Sequence, residues 1–238
     1  MTTAAILTIG NEVVSGDIEN TNATWLAQRL ETLGVHVALS AAVPDEQEPI
    51  GDFIRWERSR VDYVIVTGGL GGTPDDITRE ALAAVFGVGQ KEVPELAADL
   101  RARFPRHPDY AARWAHLPVG SVPLDNPLGG APGFRLENVW ALPGLPSEME
   151  AMFASIEEEF RRGSPIQAWR RVYRTYESVI AATLAETAER WPGILVGSYP
   201  SFSSEGSVVE VVLKSSDADA LAAASAWLAA AIEESGGR

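Results

Sequence analysis

The chain has 238 residues, 46% hydrophobic and 22% charged, enough to bury a core as one large domain or a main domain with a small companion. Its formal net charge of −14 argues against general nucleic-acid binding, which needs a basic footprint. No run of about 18 apolar residues could span a bilayer, no basic-then-apolar leader opens the chain, and without cysteine there is neither a disulfide nor a thiolate metal site, so cytoplasmic residence is the default expectation.

In chain order, Ala4 to Ile9 reads as a short buried strand opening into Gly10-Asn11-Glu12. The polar stretch Ser15 to Asn22 reads as a loop. Thr21 or Asn22 is then expected to cap a helix carrying Leu26, Leu30 and Leu33 on one face, with Gly34 as its C′ residue. Val35 to Ala42 alternates as a strand and closes in Val43-Pro44-Asp45-Glu46. A helix over Pro49–Arg58 turns Ile50, Phe53 and Ile54 inward. Tyr63 to Val66 is a buried strand, and it breaks into Thr67-Gly68-Gly69-Leu70-Gly71-Gly72-Thr73-Pro74-Asp75-Asp76 before a helix over Arg79–Phe86.

That order of strand, glycine loop and helix start is where open α/β sheets hold anionic ligands. Glycines admit a phosphate close to the backbone, and a helix N-terminus offers N–H groups and a positive dipole end. The loop is not a P-loop, because no Gly-Lys-Ser/Thr ending exists, and G-x-G-x-x-G fails at Pro74. Acid beside a phosphate cradle suggests a bridging divalent cation such as Mg²⁺, although one aspartate could instead cap the helix. Repeated strand–helix units predict a parallel, doubly covered sheet whose ligands sit at the carboxyl ends of the strands. Three such ends carry polar clusters: Gly10–Glu12, Pro44–Glu46 and Gly68–Asp76.

Glu95 to Phe104 reads as a helix, and Asp109 to Ala115 as a short one. Leu117 to Phe134 reads as a long glycine- and proline-rich loop, a feature that is usually functional. Val139 to Leu142 is a strand, and Ser147 is expected to cap the helix that carries Met149, Met152, Phe153, Ile156 and Phe160. After Gly163-Ser164-Pro165 the pattern changes to strand Arg171–Tyr176, helix Ser178–Arg190, strands Ile194–Tyr199 and Val208–Leu213, and an alanine-rich helix Asp217–Ile232. That βαββα order predicts a small α+β domain with antiparallel pairing over residues 166–238, following an α/β domain over 1–165. His36, His107 and His116 lack metal-ligand spacing, and no histidine partner makes Ser147 a nucleophile.

Gly10-Asn11-Glu12, Gly16, Asn20-Thr21-Asn22, the Gly68–Thr78 string, Ala131-Pro132-Gly133-Phe134 and Leu142-Pro143-Gly144-x-Pro146-Ser147-Glu148-Met149 together resemble the N-terminal module of the competence/damage-inducible CinA family, within the MoaB/Mog molybdopterin-binding-like superfamily. Glu177-Ser178-x-Ile180-Ala181 with Gly197-Ser198-Tyr199-Pro200 is similar to the matching region of eukaryotic FAD synthases. The resemblance implies a three-layer MoaB/Mog-like domain with a mainly parallel sheet, then a small CinA-type α+β domain. It implies Asp45 and Asp76 as the catalytic aspartates; beside them Asp75 or Glu12 is the further metal ligand expected from the acidic cluster itself. It implies divalent-metal-dependent hydrolysis of a nucleotide pyrophosphate of the ADP-ribose or FAD class; molybdopterin binding or adenylylation, and a non-catalytic binding module, stay open.

On this reading the Gly68, Gly69 and Gly71 amides with Thr73 cradle phosphate, and Gly10, Glu12 and Asn22 line the site. Asn126 and the loop from Gly129 face the nucleoside, while Pro143, Gly144, Ser147 and Glu148 form a second edge. The partners expected are a small-molecule nucleotide or pterin, with no nucleic acid and no membrane, and a homo-oligomer, dimer or trimer. Gly72 stands where the family pattern has proline, which loosens the loop. Nothing after Arg238 matches CinA's amidase region, so nicotinamide-nucleotide deamidation is not implied.

Overall fold

A computed structural model describes residues 2–203 and 206–234; the expectation about an amidase region beyond Arg238 lies outside them. The chain folds as two compact units, one of residues up to Leu30 with Val35–Arg161, the other of Glu31–Gly34 with residues from Arg162 onward.

In the first unit β1 (Thr2–Ile9) leads through a short helix α1 (Asn11–Ser15) into α2 (Thr21–Thr32), β2 (Val35–Val43), α3 (Gln47–Glu57), β3 (Tyr63–Thr67) and α4 (Thr78–Phe86). Then come β4 (Gln90–Glu92), α5 (Pro94–Arg103), α6 (Pro108–Ala112) with a 3-10 turn over Arg113–Ala115, β5 (His116–Pro118), β6 (Val122–Leu124), β7 (Gly133–Leu136), β8 (Val139–Leu142) and α7 (Pro146–Ile156). The main sheet has six strands in the order β2-β1-β3-β8-β7-β6. Pairing is parallel from β2 through β8, with Ile6 opposite Ile65 and Ile65 opposite Trp140. The edge pairs β8–β7 and β7–β6 are antiparallel. The sheet is thus mainly parallel, as the repeated strand–helix units require.

The central strands β1, β3 and β8 are buried on both faces because helices cover both. On one face Leu7, Val64, Val66 and Ala141 pack with Ile50 and Ile54 of α3 and Ala81 and Leu82 of α4. On the other, Tyr63, Trp140, Phe153 and Phe160 form a chain of ring contacts with centroids 5.0–5.2 Å apart. Edge-to-face and offset contacts at that spacing add to the area they bury.

Three local expectations are corrected. Helix α2 begins at Thr21, so Asn20 is its cap: the Ala23 amide donates to Asn20 Oδ1 at 3.1 Å. Ser147 lies inside α7 rather than at its cap, because Pro146 already occupies the first turn and Leu145 precedes it. The stretch Leu117–Phe134 is not one loop: it holds β5, β6 and the start of β7, strands of three or four residues whose apolar runs are too short to show alternation.

In the second unit β9 (Gln167–Tyr173), α8 (Glu177–Arg190), β10 (Leu195–Ser203), β11 (Gly206–Ser215) and α9 (Ala218–Glu234) succeed one another. The sheet order is β10-β11-β9 with antiparallel pairs throughout. Val209, Val211 and Leu213 of β11 bury one face against Ile180 and Leu184 of α8 and Leu221 and Leu228 of α9. The βαββα reading therefore holds for this unit. Among the described residues no helix is long and apolar enough to cross a membrane.

Candidate functional site

The carboxyl ends of β1, β2, β3 and β8 open onto one cleft of about 650 Å³ in the first unit. Of the residues singled out by sequence, Gly10, Glu12, Asn22, Asp45, Gly68, Gly69, Gly71, Asp75, Asp76, Pro143, Gly144 and Glu148 all line it. Parallel strands place their ends side by side, so distant turns become one wall.

The strand ends are tied together by side chains. The Asn11 amide donates to Asp45 Oδ2 at 2.8 Å, joining the ends of β1 and β2. Thr67 Oγ1 donates to the Pro143 carbonyl at 2.8 Å and so accepts from Asn22 Nδ2 at 3.0 Å, while that same amide nitrogen reaches the Gly144 carbonyl at 2.8 Å. Asn22 is thereby a strut between the ends of β3 and β8. Gly68 must be glycine: its φ is +108°, and a side chain there would collide with the Ile9 carbonyl of the neighbouring strand.

The glycine loop is held from two sides. Asp76 accepts from the Gly71 amide at 2.9 Å on one oxygen, and from the Thr73 amide at 2.7 Å and the Thr73 hydroxyl on the other. From below, the buried Arg79 guanidinium donates to the Leu70 carbonyl at 2.7 Å and the Gly71 carbonyl at 2.8 Å. Burial lowers the Arg79 pKa, and the Glu80 and Asp76 charges oppose that shift.

This geometry corrects two expectations. The Gly71 and Thr73 amides serve Asp76, whose carboxylate at the end of the same loop accepts from both, and the Gly68 amide donates to the Leu142 carbonyl at 3.1 Å, so of the amides expected to cradle phosphate that of Gly69 alone carries no hydrogen bond among the described residues. Neither acidic residue caps α4, whose preceding residue is Ile77 with no side-chain cap.

Asp45 differs from Asp76. Its carboxyl is held above the usual carboxylate range by burial and by the charges of Glu12, Asp75 and Asp76, against the Asn11 hydrogen bond that lowers it. Oδ1 of Asp45 accepts no hydrogen bond among the described residues, and none of the residues lining the cleft is Lys, Arg or His. A cation would relieve that repulsion. Among the described residues no three His, Cys, Asp or Glu side chains are grouped to cage an ion. The carboxylates therefore form no all-protein cage, and a hard cation such as Mg²⁺ would need its remaining ligands from water or a bound anion.

Four expected residues lie elsewhere. Asn126 and Gly129 line a separate groove of about 810 Å³; Asn126 acts through Glu148, donating to its Oε2 at 2.8 Å and to the Ala131 carbonyl at 3.0 Å. Gly130 and Ala131 are the loop residues that reach the cleft. Thr73 and Ser147 are exposed and outside its lining. Sequence reading missed the brace Arg79, the cap Asn20, and Phe104 and Trp114 on the cleft wall. Arg79 was hidden because an arginine in the first turn of a helix reads as a solvated charge.

Residues 5–162 match the family model described as "Probable molybdopterin binding domain", and residues 171–236 match "FAD synthase, middle domain". The chain belongs to the molybdopterin-binding domain family. A CinA-like protein of Frankia casuarinae is 42% identical over 206 residues, covering 79% of this chain and 48% of that one. The chain therefore spans about half the length of that relative. A protein of Archaeoglobus fulgidus is 36% identical over 198 residues, covering 82% of this chain and 84% of its own. The crystal structure of CinA from Thermoplasma acidophilum aligns with a TM-score of 0.64 at 31% identity, covering 67% of this chain and 98% of that one. The CinA-like and MoaB/Mog-like reading of the motifs is thereby shown.

Proposed function

We propose that the cleft binds a nucleotide pyrophosphate of the ADP-ribose or FAD class together with a divalent cation and hydrolyses it. The observation that carries this reading is the gathering of Glu12, Asp45, Asp75 and Asp76 around a glycine loop with no cationic side chain in the lining. An anionic ligand can enter such a site only with its charge compensated.

Asp45 and Asp75 would hold the cation, which when bound supplies an acidified water and screens charge on the phosphoryl oxygens. The chain's own residues do the rest. Arg79 and Asp76 fix the loop backbone, Gly68 and Gly69 let the loop pass close against the Ile9 carbonyl and the Thr78 hydroxyl at the end of β3, and Asn22 keeps the β3 and β8 ends at fixed separation. Glu148, steadied by Asn126, presents a carboxylate on the opposite edge, able to accept a ribose hydroxyl.

The test is turnover of ADP-ribose, FAD, NAD and molybdopterin-AMP, each with and without Mg²⁺, Mn²⁺ or Co²⁺. Metal-dependent release of a nucleoside monophosphate supports the reading. Tight binding of molybdopterin with no pyrophosphate cleavage would replace it with a pterin-binding role, which the family description and the same glycine loop also support.

A further inference from the structure

Beside the cleft lies a second cavity of about 400 Å³ with aromatic walls from Phe104, Tyr110 and Trp114, and with Arg103, Arg106 and His107 among its lining residues. It adjoins the cleft, because Phe104 and Trp114 line both. These two rings meet edge to face with centroids 5.0 Å apart. They are the only aromatic side chains in the lining of the cleft among the described residues.

The division of chemistry is sharp. The cleft is rich in carboxylates and without cationic side chains, whereas the adjoining lobe carries arginines and apolar ring faces. The lobe is also fastened to the glycine loop. The Tyr110 hydroxyl donates to the Gly72 carbonyl, and a Cβ at Gly72 would stand 2.7 Å from Trp114 Nε1 and 2.8 Å from Tyr110 Cε1. The rings thus occupy the space a larger residue at 72 would need, which accounts for glycine at this position.

We propose that the lobe is the seat of the ligand's planar nitrogen heterocycle, a nucleobase or a pterin, which stacks against Trp114 and Phe104 while its phosphates lie at the glycine loop. This rests on the proposed pyrophosphate reading for the phosphate end only. Flat rings with delocalised electrons favour aromatic and guanidinium faces.

The experiment compares wild type, Trp114→Leu and Trp114→Phe in calorimetric binding of adenosine, free pterin and inorganic pyrophosphate with Mg²⁺. Ring binding should weaken at least about fivefold in Trp114→Leu and return in Trp114→Phe, with pyrophosphate binding unchanged. Adenosine and pterin, compared as separate arms, decide which ring the lobe takes. Photolabelling of the wild-type protein with 8-azidoadenosine, or an azidopterin, covers the case in which Trp114→Leu fails to fold, and label should fall within residues 103–114.

Ring binding indifferent to Trp114, label mapping elsewhere, or no ring binding by wild type would overturn the proposal. So would a parallel loss of pyrophosphate binding in Trp114→Leu, which would make the rings a loop brace only. Trp114-dependent ring binding without turnover of any nucleotide pyrophosphate would leave the lobe standing and remove the hydrolase reading alone.

Discussion

Replacing Arg79 with methionine should damage the glycine loop more than any other single change that leaves the cleft lining intact. Arg79 is 5% exposed, and its guanidinium makes two hydrogen bonds, to the Leu70 and Gly71 carbonyls at 2.7 and 2.8 Å. Hydrogen bonds from a charged donor are worth about 1.5–3 kcal/mol each, giving a gross loss near 3–6 kcal/mol. Removing the buried charge returns part of this, because its desolvation cost disappears along with it. Methionine also refills most of the side-chain volume. The net expectation is a destabilisation of about 2–4 kcal/mol. It should register as a lower urea midpoint with unchanged m, and as faster amide exchange confined first to peptides covering Leu70–Thr78. Ligand binding should fall in step with loss of exchange protection. A change below about 1 kcal/mol, with the loop peptides protected as in wild type, would refute the assignment of Arg79 as the brace.

Asp45→Asn tests the electrostatics. Its carboxyl lies above the ordinary aspartate value of 3.8, through burial first and then the neighbouring charges. A raised acid contributes stability that is fully present below its unfolded value and is lost as pH rises through the raised folded value. The asparagine variant should therefore lose less stability than wild type as pH rises from about 4, and melt higher at pH 7. An unchanged difference in melting temperature across that range would contradict the shift. Gly68→Ala should cost at least about 2 kcal/mol in chemical denaturation, from the φ of +108° and the Ile9 carbonyl together, and a cost under about 0.5 kcal/mol would mean the loop can rearrange freely. Asn20→Ala should cost about 1 kcal/mol through loss of the α2 cap, with Asn20→Asp retaining most of it.

The residues that announced themselves are those whose chemistry is local. Tyr63–Thr67 is a run of buried side chains leading into glycines, and β-strand, turn and helix start were all legible there. The parallel order came from the repeated connections, and β9 to α9 from alternation and helical spacing. What stayed hidden depends on contacts far apart in sequence. Asn126 looked like a ligand contact but is turned toward Glu148, 22 positions on. β6 and β7 owe their strand geometry to pairing in the sheet that β8 anchors, not to their own short patterns. Phe104 and Trp114 fall in two separate stretches that read only as helices, and only the fold brings them to the mouth of the glycine loop.

The two aspartates expected to share one role are set apart by their surroundings, and this yields the final prediction. Asp76 is used within the loop, its oxygens taking the Gly71 and Thr73 amides and the Thr73 hydroxyl. Asp45 keeps one oxygen uncommitted and sits among like charges. Asp76→Ala should therefore remove about 1–2 kcal/mol of local stability and weaken every loop ligand, with or without cation. Asp45→Asn should leave loop exchange untouched and abolish only the cation dependence of binding, because the asparagine carbonyl still accepts from Asn11 while the charge that draws a cation is gone. Calorimetric titration of pyrophosphate with and without Mg²⁺ separates the two. If both variants lose only the Mg²⁺-dependent part while the loop stays protected, Asp76 is a cation ligand in function and its loop hydrogen bonds are exchanged for that ion when ligand binds. If Asp76→Ala instead loosens the loop with Mg²⁺ absent, the division holds: one carboxylate shapes the phosphate site and the other brings the charge that fills it.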